Sequence, residues 1–139
     1  MRCIELLIAL VLLASIGAAQ NKPTAEKVST EPADVASGKR TYVEYCASCH
    51  GEDAKGRGPA AAALKTPPPD LTALAKQHGG KFPYEYVAGV VRFGKPISAH
   101  GSSDMPVWGP IFGFVDFHEV AIRKRIRDLC GYLASVQEK

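Results

Sequence analysis

The stretch Cys46-Ala47-Ser48-Cys49-His50 organises this chain of 139 residues. Two cysteines three positions apart, followed directly by a histidine, form the attachment signature for c-type haem. Each thiol adds across one vinyl group of the porphyrin, and the imidazole ligates the iron. On a helical turn, residues three and four positions apart share a face, so the three side chains converge on one flat ligand. Cysteine and histidine each occur four times in the chain, so chance is a poor explanation of the motif.

Two other kinds of site use closely spaced cysteines, and the sequence favours neither. A thioredoxin-like redox pair belongs to a βαβ unit, and no stretch of this chain alternates in the manner of a strand. A zinc site needs a second ligand pair, and there is no second CxxC and no HxxxH. We therefore interpret Cys46, Cys49 and His50 as the attachment site of one covalent haem c.

The first 19 residues have the pattern of a secretory signal peptide. Arg2 supplies a positive charge, an apolar run extends from Leu6 to Ile16, and small residues at 17–19 precede a predicted cleavage before Gln20. The run is shorter than the roughly 20 residues that a transmembrane helix needs. Contact with a membrane is therefore expected only if this segment remains as an anchor.

Residues 20–33 have no apolar period, and we predict a flexible linker there. Residues 34–139 are assigned to a single domain, for which their number is sufficient. Cleavage removes Arg2 together with Glu5, so the net charge stays at +3, which argues against nucleic acid as the partner of an exported domain. The remaining chain is poor in large apolar side chains, and a buried cofactor would complete its core.

The two ends of the domain carry the clearest helical patterns. Asp34 is the predicted N-cap of a first helix that runs to about Cys46. The last helix is predicted to begin at Asp116, which forms a box-like capping pair with Glu119. Its apolar stripe has the i, i+4, i+7, i+11 spacing of a core-facing helix and consists of Ile122, Ile126, Leu129 and Leu133.

Between these helices the pattern predicts short helices and long loops. A glycine-rich loop over residues 51–59 leads to a short turn over 60–65, which Pro67 to Pro69 stop. Asp70 caps a short helix over residues 71–78, and another helix begins near Pro83 and stops at Gly94. Residues 95–115 have no convincing period, so they are predicted to form one long loop.

Taken together, these residues resemble the class I c-type cytochromes, in particular the small monohaem proteins of the bacterial periplasm. The resemblance covers residues 34–136. It rests on the haem motif and Gly51, Gly58-Pro59, Met105-Pro106, Trp108, Leu129 and Tyr132-Leu133. The family implies an all-α cytochrome c fold, in which the N- and C-terminal helices cross beside a covalently bound haem and long irregular loops surround it. Gly38 and Tyr42 match the first-helix positions that contact the last helix.

Met105 is the candidate second ligand of the iron. It is the one methionine that remains after removal of the leader, and it lies where the family places this ligand. A thioether is a soft ligand that raises the reduction potential relative to a second imidazole. His100, in the same predicted loop, is the alternative ligand, and a methionine that merely fills a gap in the core is another interpretation. His78 and His118 are expected to be ordinary residues at helix ends.

Several further residues are candidates to hold the haem. The family resemblance implies that the Pro59 carbonyl accepts the second ring N–H of His50, although Pro59 also suits a simple turn. Buried propionates need charged or hydrogen-bonding partners, and Arg92 and Trp108 are the candidates, with Lys95 and Tyr84. For Trp108, core packing is an equally good interpretation.

The function that follows is one-electron transfer through a His/Met-ligated haem rather than enzymatic catalysis. A haem enzyme, or a sensor of a gas or peroxide, would follow if Met105 left the sixth iron position open. A third interpretation makes the chain an electron-transfer subunit of a larger redox complex. The resemblance implies a periplasmic location, because haem is attached to cysteine outside the bacterial cytoplasm.

Two features of the last helix bear on partners. Arg123, Lys124, Arg125 and Arg127 form a basic run. Such a run is ordinarily a solvated face, but it also suits a docking patch for an acidic redox partner. Cys130 is expected to be a small buried hydrophobe, and a single leftover thiol argues against a disulfide framework. We expect a monomer or a subunit of a redox complex.

Overall fold

A computed structural model describes residues 31–94 and 105–138 of the chain. Both ranges are helical and without strands, as the all-α prediction requires. The elements are α1 (Val35–Tyr45), α2 (Ala47–His50), two 3-10 turns (Ala61–Ala63 and Leu71–Ala73), α3 (Leu74–Gln77), α4 (Tyr84–Phe93), α5 (Trp108–Asp116) and α6 (Glu119–Ser135). The predicted signal peptide, residues 20–30 of the predicted linker, and His100 lie outside the described residues.

The first helix begins where the sequence predicted. The Asp34 side chain accepts a hydrogen bond from the Ser37 backbone N–H at 3.0 Å, which satisfies one of the free donors of the first turn. Helix α1 ends at Tyr45, and Cys46 joins it to α2. The haem motif therefore lies across the junction of two helices.

Helices α1 and α6 pack against each other at a glycine. A Cβ atom on Gly38 would overlap the backbone carbonyl of Asp128 and would lie 2.9 Å from the Cβ of Tyr132. Beside this contact the rings of Tyr42 and Tyr132 lie 5.3 Å apart, and Tyr42 is fully buried. The structure thus confirms the crossing that the first-helix glycine and aromatic predicted.

The middle helices also follow their sequence signals. Asp70 accepts a hydrogen bond from the Thr72 N–H at 2.8 Å and starts the first of two short helical segments, so the predicted helix over 71–78 is split. Helix α4 stops at Gly94, which has a left-handed φ of 57°. The predicted stripe of α4, Val87, Val90 and Val91, is buried.

The prediction of one loop over residues 95–115 is wrong at its C-terminal end, because α5 occupies Trp108–Asp116. Gly109, Pro110 and Gly113 are poor helix formers, which hid this helix from the sequence. Pro110 is tolerated since it lies in the first turn, where backbone N–H groups have no partner within the helix. Burial of Phe112 at 0% exposure stabilises the helix by packing.

The predicted start of the last helix is also wrong. Helix α6 begins at Glu119 with the exposed His118 as its N-cap, whereas Asp116 is the final residue of α5. The Asp116 carboxylate accepts two hydrogen bonds from the Arg125 guanidinium, both at 2.7 Å. Asp116 therefore joins α5 to α6. Among the helices of the described residues, none combines the length and apolar character that a membrane crossing requires.

Candidate functional site

A cavity of about 960 Å³, counting the open space at its mouth, lies among the helices. Its wall includes the haem motif, the valine stripe of α4 and the apolar face of α6. The lining residues are Tyr42, Tyr45, Cys46, Cys49, His50, Leu64, Thr66, Pro67, Pro68, Pro69, Leu71, Leu74, Tyr86, Val87, Val90, Val91, Met105, Pro106, Trp108, Leu129 and Leu133. Aspartate, glutamate, lysine and arginine are absent from this described lining. The space suits a large, mostly apolar cofactor.

The backbone around the motif brings its three side chains to this wall. The N–H of Cys46 donates to the Tyr42 carbonyl at 2.8 Å, and the N–H of His50 donates to the Cys46 carbonyl at 2.9 Å. The Tyr42 hydroxyl donates to the carbonyl of Gly51 at 2.6 Å, which ties the residue after the motif to the centre of the core. Cys46, Cys49 and His50 thus lie on one hydrogen-bonded helical turn, which Cys46 connects to α1.

The His50 ring meets a different carbonyl from the one predicted. Its Nδ1 lies 3.3 Å from the carbonyl oxygen of Pro69. A carbonyl can only accept, so this contact requires the proton on Nδ1 and leaves the lone pair on Nε2, the arrangement that a metal-ligating histidine needs. The predicted acceptor was the Pro59 carbonyl, whereas the carbonyl found beside the Nδ1 is that of Pro69.

The neighbourhood of Pro59 explains the difference. Pro59 is exposed, and the residues on either side of it bind backbone rather than the ring. The N–H of Gly58 donates to the Cys49 carbonyl at 3.0 Å, and the N–H of Ala60 donates to the Ser48 carbonyl at 2.8 Å. This turn therefore satisfies the last carbonyls of α2, which have no partner within the helix.

A second segment brings the predicted sulfur ligand to the same cavity. Met105 is half-buried and lines the wall together with Pro106 and Trp108. The Trp108 ring also packs on Tyr45 and Phe112, with ring centroids 5.6 and 5.9 Å away. Trp108 is thus both a core residue and a wall residue, and its predicted contact with a propionate stays a prediction.

Arg92, a predicted propionate partner, has another position and another partner. Its guanidinium pairs with Glu119 and lies 5.0 Å from the Phe93 ring centroid. Neither Arg92 nor Tyr84 is part of the cavity lining. The ion pair joins α4 to the first turn of α6, which gives Arg92 a role in helix packing that the sequence pattern does not reveal. Lys95 lies outside the described residues.

The described histidines other than His50 lie away from the cavity wall. The Nδ1 of His78 lies 2.8 Å from the Leu74 carbonyl, and its ring packs against Tyr86 at 5.2 Å. His118 is the exposed N-cap residue of α6. Neither is placed as a rival of Met105, in agreement with their interpretation as ordinary residues.

The alternatives to haem find no support among the described residues. A redox dithiol needs a lowered thiol pKa, whereas burial, reinforced by the neighbouring Cys49, raises the pKa of the Cys46 thiol to about 12. No group of three or more His, Cys, Asp or Glu side chains is placed to hold a metal ion within 31–94 and 105–138. A porphyrin, by contrast, fits an apolar cavity with two thiols, one oriented imidazole and one thioether on its wall.

Residues 33–121 match the protein family described as cytochrome C oxidase, cbb3-type, subunit III. This match covers more than half of the chain, and its family consists of c-type cytochrome domains. The chain belongs to this c-type cytochrome family. Comparison with curated proteins and with solved structures gives no match.

Membership implies haem c as the cofactor, and it supports haem-based electron transfer as the general function. The cytochrome domain also uses residues that the sequence pattern did not single out as part of the site. Pro67 to Pro69 were recognised only as a helix stop, yet all three line the cavity and Pro69 meets His50. Gly56 permits this approach, because a Cβ atom there would overlap the Pro68 carbonyl.

The basic run of the cytochrome is largely engaged within the domain. Lys124 pairs with Asp128 at 2.6 Å, Arg125 with Asp116 at 2.7 Å, and Arg127 with Asp128 at 3.4 Å. Arg123 lies 3.7 Å from Glu119. These carboxylates offset the positive charge that an acidic partner would use. The pairs of Arg123, Lys124 and Arg127 lie within α6, whereas Arg125 pairs with the last residue of α5.

Cys130 is fully buried, as predicted. Burial raises the pKa of its thiol to about 12, with a smaller contribution from the charge of Glu85. A thiol in such a site is inert at neutral pH. Cys130 is therefore a packing residue of the α6 core face.

Proposed function

We propose that this domain transfers single electrons in the periplasm, through one haem c attached to Cys46 and Cys49 and ligated by His50 and Met105. The observation that carries the proposal is that the two thiols, the imidazole and the thioether line one apolar cavity, although Met105 is 55 positions from His50. When bound, haem supplies one-electron chemistry at its iron.

The residues of the chain have separate tasks in this proposal. Cys46 and Cys49 hold the cofactor covalently, and Pro69 keeps the proton of His50 on Nδ1, so that Nε2 is the nitrogen available as a ligand. Met105 offers a soft sulfur, which favours the reduced state. A haem held by both His50 and Met105 would have no free position for a substrate, and the domain would act as a carrier.

The apolar wall contributes by excluding water. Val87, Val91, Leu129 and Leu133 are each at most 7% exposed and line the cavity. Burial of a redox centre lowers the local dielectric and changes its potential, and it also restricts the access of small reactive molecules. This wall supports a carrier more than an open haem enzyme.

Covalent attachment is tested by expression with a c-type haem maturation system, followed by extraction with acidified acetone. The protein fraction should keep its colour, and its mass should exceed that of the polypeptide by one haem. Cys46→Ser and Cys49→Ser should each leave a single attachment, and the double variant should release all colour into the solvent. Cys130→Ser is the matched control and should keep both attachments. Extractable colour in the unchanged protein would contradict the proposal.

The periplasmic location is supported by the apolar leader and by the small residues before Gln20. Mass spectrometry of protein from the periplasmic fraction should give an N-terminus at or near Gln20. If the chain is instead recovered in the membrane fraction with residues 6–16 intact, the leader is not cleaved and serves as a membrane anchor.

The family match supports a second form of this proposal, in which the domain is part of a larger complex. Because the family is described as a subunit of an oxidase, the domain also suits the role of an electron-transfer subunit in a larger redox complex. Purification under mild conditions distinguishes the two roles. A free carrier elutes as a single chain, whereas a subunit elutes with other redox proteins.

A further inference from the structure

The segment after α6 contains a glutamine whose side chain bonds to three different parts of the backbone. The Gln137 Oε1 accepts a hydrogen bond from the Ala75 N–H at 2.7 Å. Its Nε2 donates to the Leu71 carbonyl at 2.8 Å and to the Leu133 carbonyl at 2.7 Å. Both amide N–H groups and the carbonyl oxygen of this side chain are therefore in use.

These bonds give α3 the cap that its own sequence lacks. The N-cap residue of α3 is Ala73, which has no side chain able to accept a hydrogen bond. The Ala75 N–H is one of the first-turn donors without a partner in the helix, and Gln137 satisfies it from 62 positions away. Gln137 thus joins the end of α6 to the start of the 71–77 helical segment.

The joined segment forms a wall of the haem cavity and leads back to the proximal histidine. Leu71 and Leu74 line the cavity, and the Leu71 N–H donates to the Ala54 carbonyl at 2.8 Å. Pro69 lies two residues before Leu71, and its carbonyl oxygen is 3.3 Å from the His50 Nδ1. This distance is long for a hydrogen bond, so a small displacement of the segment is enough to break it.

We infer that Gln137 is a positioning residue for His50: by fixing Leu71 and α3 to α6, it holds the Pro69 carbonyl against the ring. The inference rests on the proposed function, since it concerns the histidine as the iron ligand. A hydrogen bond from Nδ1–H makes the imidazole more basic and favours the oxidised iron. Loss of Gln137 therefore weakens this bond and shifts the midpoint potential upward.

A neighbouring residue offers a matched control. Glu138 forms an ion pair with Lys55 at 2.6 Å, and both side chains are well exposed, at 46% and 39%. Such pairs contribute little. The Glu138 N–H also donates to the Thr72 carbonyl at 2.9 Å, a backbone bond that substitution of the side chain leaves in place. Glu138→Gln removes the charge of this side chain, which faces Lys55 and, more weakly, Thr72, and it leaves the three hydrogen bonds of the Gln137 side chain in place.

The experiment compares the holoprotein of Gln137→Met, Gln137→Glu and Glu138→Gln with the unchanged chain. Methionine keeps the approximate length of the side chain without hydrogen bonds. Glutamate keeps the acceptor for Ala75 but loses both donors and directs a carboxylate at two carbonyls. Three quantities are measured: the midpoint potential, the proton resonance of His50 Nδ1–H in the reduced protein, and amide hydrogen exchange at Ala75.

Both Gln137 variants should raise the potential and move the Nδ1–H resonance toward that of a weaker hydrogen bond, whereas Glu138→Gln should match the unchanged protein. Exchange at Ala75 should become roughly ten-fold faster in Gln137→Met, since one hydrogen bond is lost there. If Gln137→Met does not accumulate as folded protein, the inference is tested with Gln137→Glu alone. Its midpoint potential and its His50 Nδ1–H resonance should shift in the same directions.

An unmoved potential and resonance in a folded Gln137 variant would overturn the inference, even if stability fell, because a purely structural role loosens the segment without altering the ligand. Equal shifts in Glu138→Gln would also overturn it. Retention of haem after acid–acetone extraction is measured in every sample. Haem lost from the unchanged protein contradicts the proposed function, whereas covalent haem with an unmoved potential contradicts only the role of Gln137.

Discussion

Gly38 lies directly against the backbone carbonyl of Asp128, and no side chain fits between them. The same two helices are also joined at the start of α1, because the buried Asp128 carboxylate accepts a hydrogen bond from the N–H of the N-cap residue Asp34 at 3.1 Å. Backbone contact of this kind sets the distance between α1 and α6. Since α1 leads into Cys46 and α6 carries Leu129 and Leu133, these two packed helices contribute residues to the cavity wall.

Gly38→Ala should therefore reduce the free energy of unfolding by about 2 kcal/mol or more, because the new methyl group overlaps backbone that cannot rotate away. Urea denaturation of the holoprotein measures the change. Gly113→Ala is the matched control, since a Cβ atom there would meet only the Ile122 Cδ1, at 3.8 Å. Alanine is the better helix former, so the control should be stabilised by up to about 1 kcal/mol. Equal effects of the two substitutions would contradict the close approach at Gly38.

The second prediction concerns the pair between Arg125 and Asp116. Arg125→Ala removes two charge-assisted hydrogen bonds and a cation that lies 5.4 Å from the centre of the Phe112 ring. We expect a loss of about 2 kcal/mol of stability. Arg57→Ala, which breaks an exposed pair with Asp53, should change the free energy of unfolding little. Similar losses of stability in the two variants would show that the Arg125–Asp116 pair stabilises the protein no more than an exposed pair does.

This pair also has a defined pH dependence. The hydrogen bonds from Arg125 lower the pKa of Asp116 below its usual value of 3.8. A lowered pKa in the folded state contributes stability above the unfolded value, and the contribution is lost as the pH falls through the folded value. Below about pH 4, the difference between the unchanged protein and Arg125→Ala should therefore shrink.

The next prediction concerns the thiol of Cys130, its reactivity and its effect on stability at alkaline pH. Its thiol should resist alkylation in the folded holoprotein at pH 8 and should react fully after unfolding, which mass spectrometry of the labelled chain measures. Its pKa is raised from 9.0 to about 12 in the folded state, so its contribution to stability is present below pH 9 and declines as the pH rises toward 12. Burial also raises the pKa of Tyr42, Tyr84 and Tyr132, so the difference between the unchanged protein and Cys130→Ala isolates the thiol. Alkylation of Cys130 in the folded protein would contradict this burial.

Each helix that the sequence predicted correctly has at least one local signal, a residue that caps or ends it or an apolar stripe. Asp34 caps α1 and Gly94 ends α4. In the predicted stripe of α6, Ile126, Leu129 and Leu133 are buried as expected, whereas Ile122 is half-buried. Helix α5 lacks these signals, because no side chain caps it and its glycines and proline lower its propensity. It is stabilised by tertiary packing of Phe112 and by the hydrogen bonds that Arg125 donates to Asp116, and a linear pattern reveals neither interaction.

The candidate site likewise contains features that the sequence predicted and features that depend on the fold. The attachment motif is local, since its residues lie on one helical segment, and it was therefore readable from the sequence. The acceptor for the His50 ring is a tertiary feature. Pro59 and Pro69 each have a backbone carbonyl that could accept this hydrogen bond, and only the folded path of residues 51–69 brings the Pro69 carbonyl to the ring. Arg92 illustrates the same limit, since its pairing with Glu119 depends on how α4 meets α6.

The last prediction concerns Met105, because a carrier and a haem enzyme differ at this residue. If its sulfur ligates the iron, the oxidised protein should have the weak sulfur-to-iron band at the red end of the visible spectrum, and Met105→Ala should lose it. The midpoint potential should fall in the variant, since the soft ligand that favours the reduced state is gone. Carbon monoxide should bind Met105→Ala readily and the unchanged protein poorly, which flash photolysis measures.

Two further variants make the result specific to this methionine. Met105→His should restore a closed, low-spin site at a lower potential, because imidazole is a harder ligand than thioether. His78→Ala is the matched control, since His78 lies outside the cavity wall, and it should leave the spectrum unchanged. If His100→Ala is instead the change that opens the iron, the protein is a bis-histidine carrier. If the unchanged protein already binds carbon monoxide rapidly, Met105 is a packing residue and the domain is a sensor or a peroxidase.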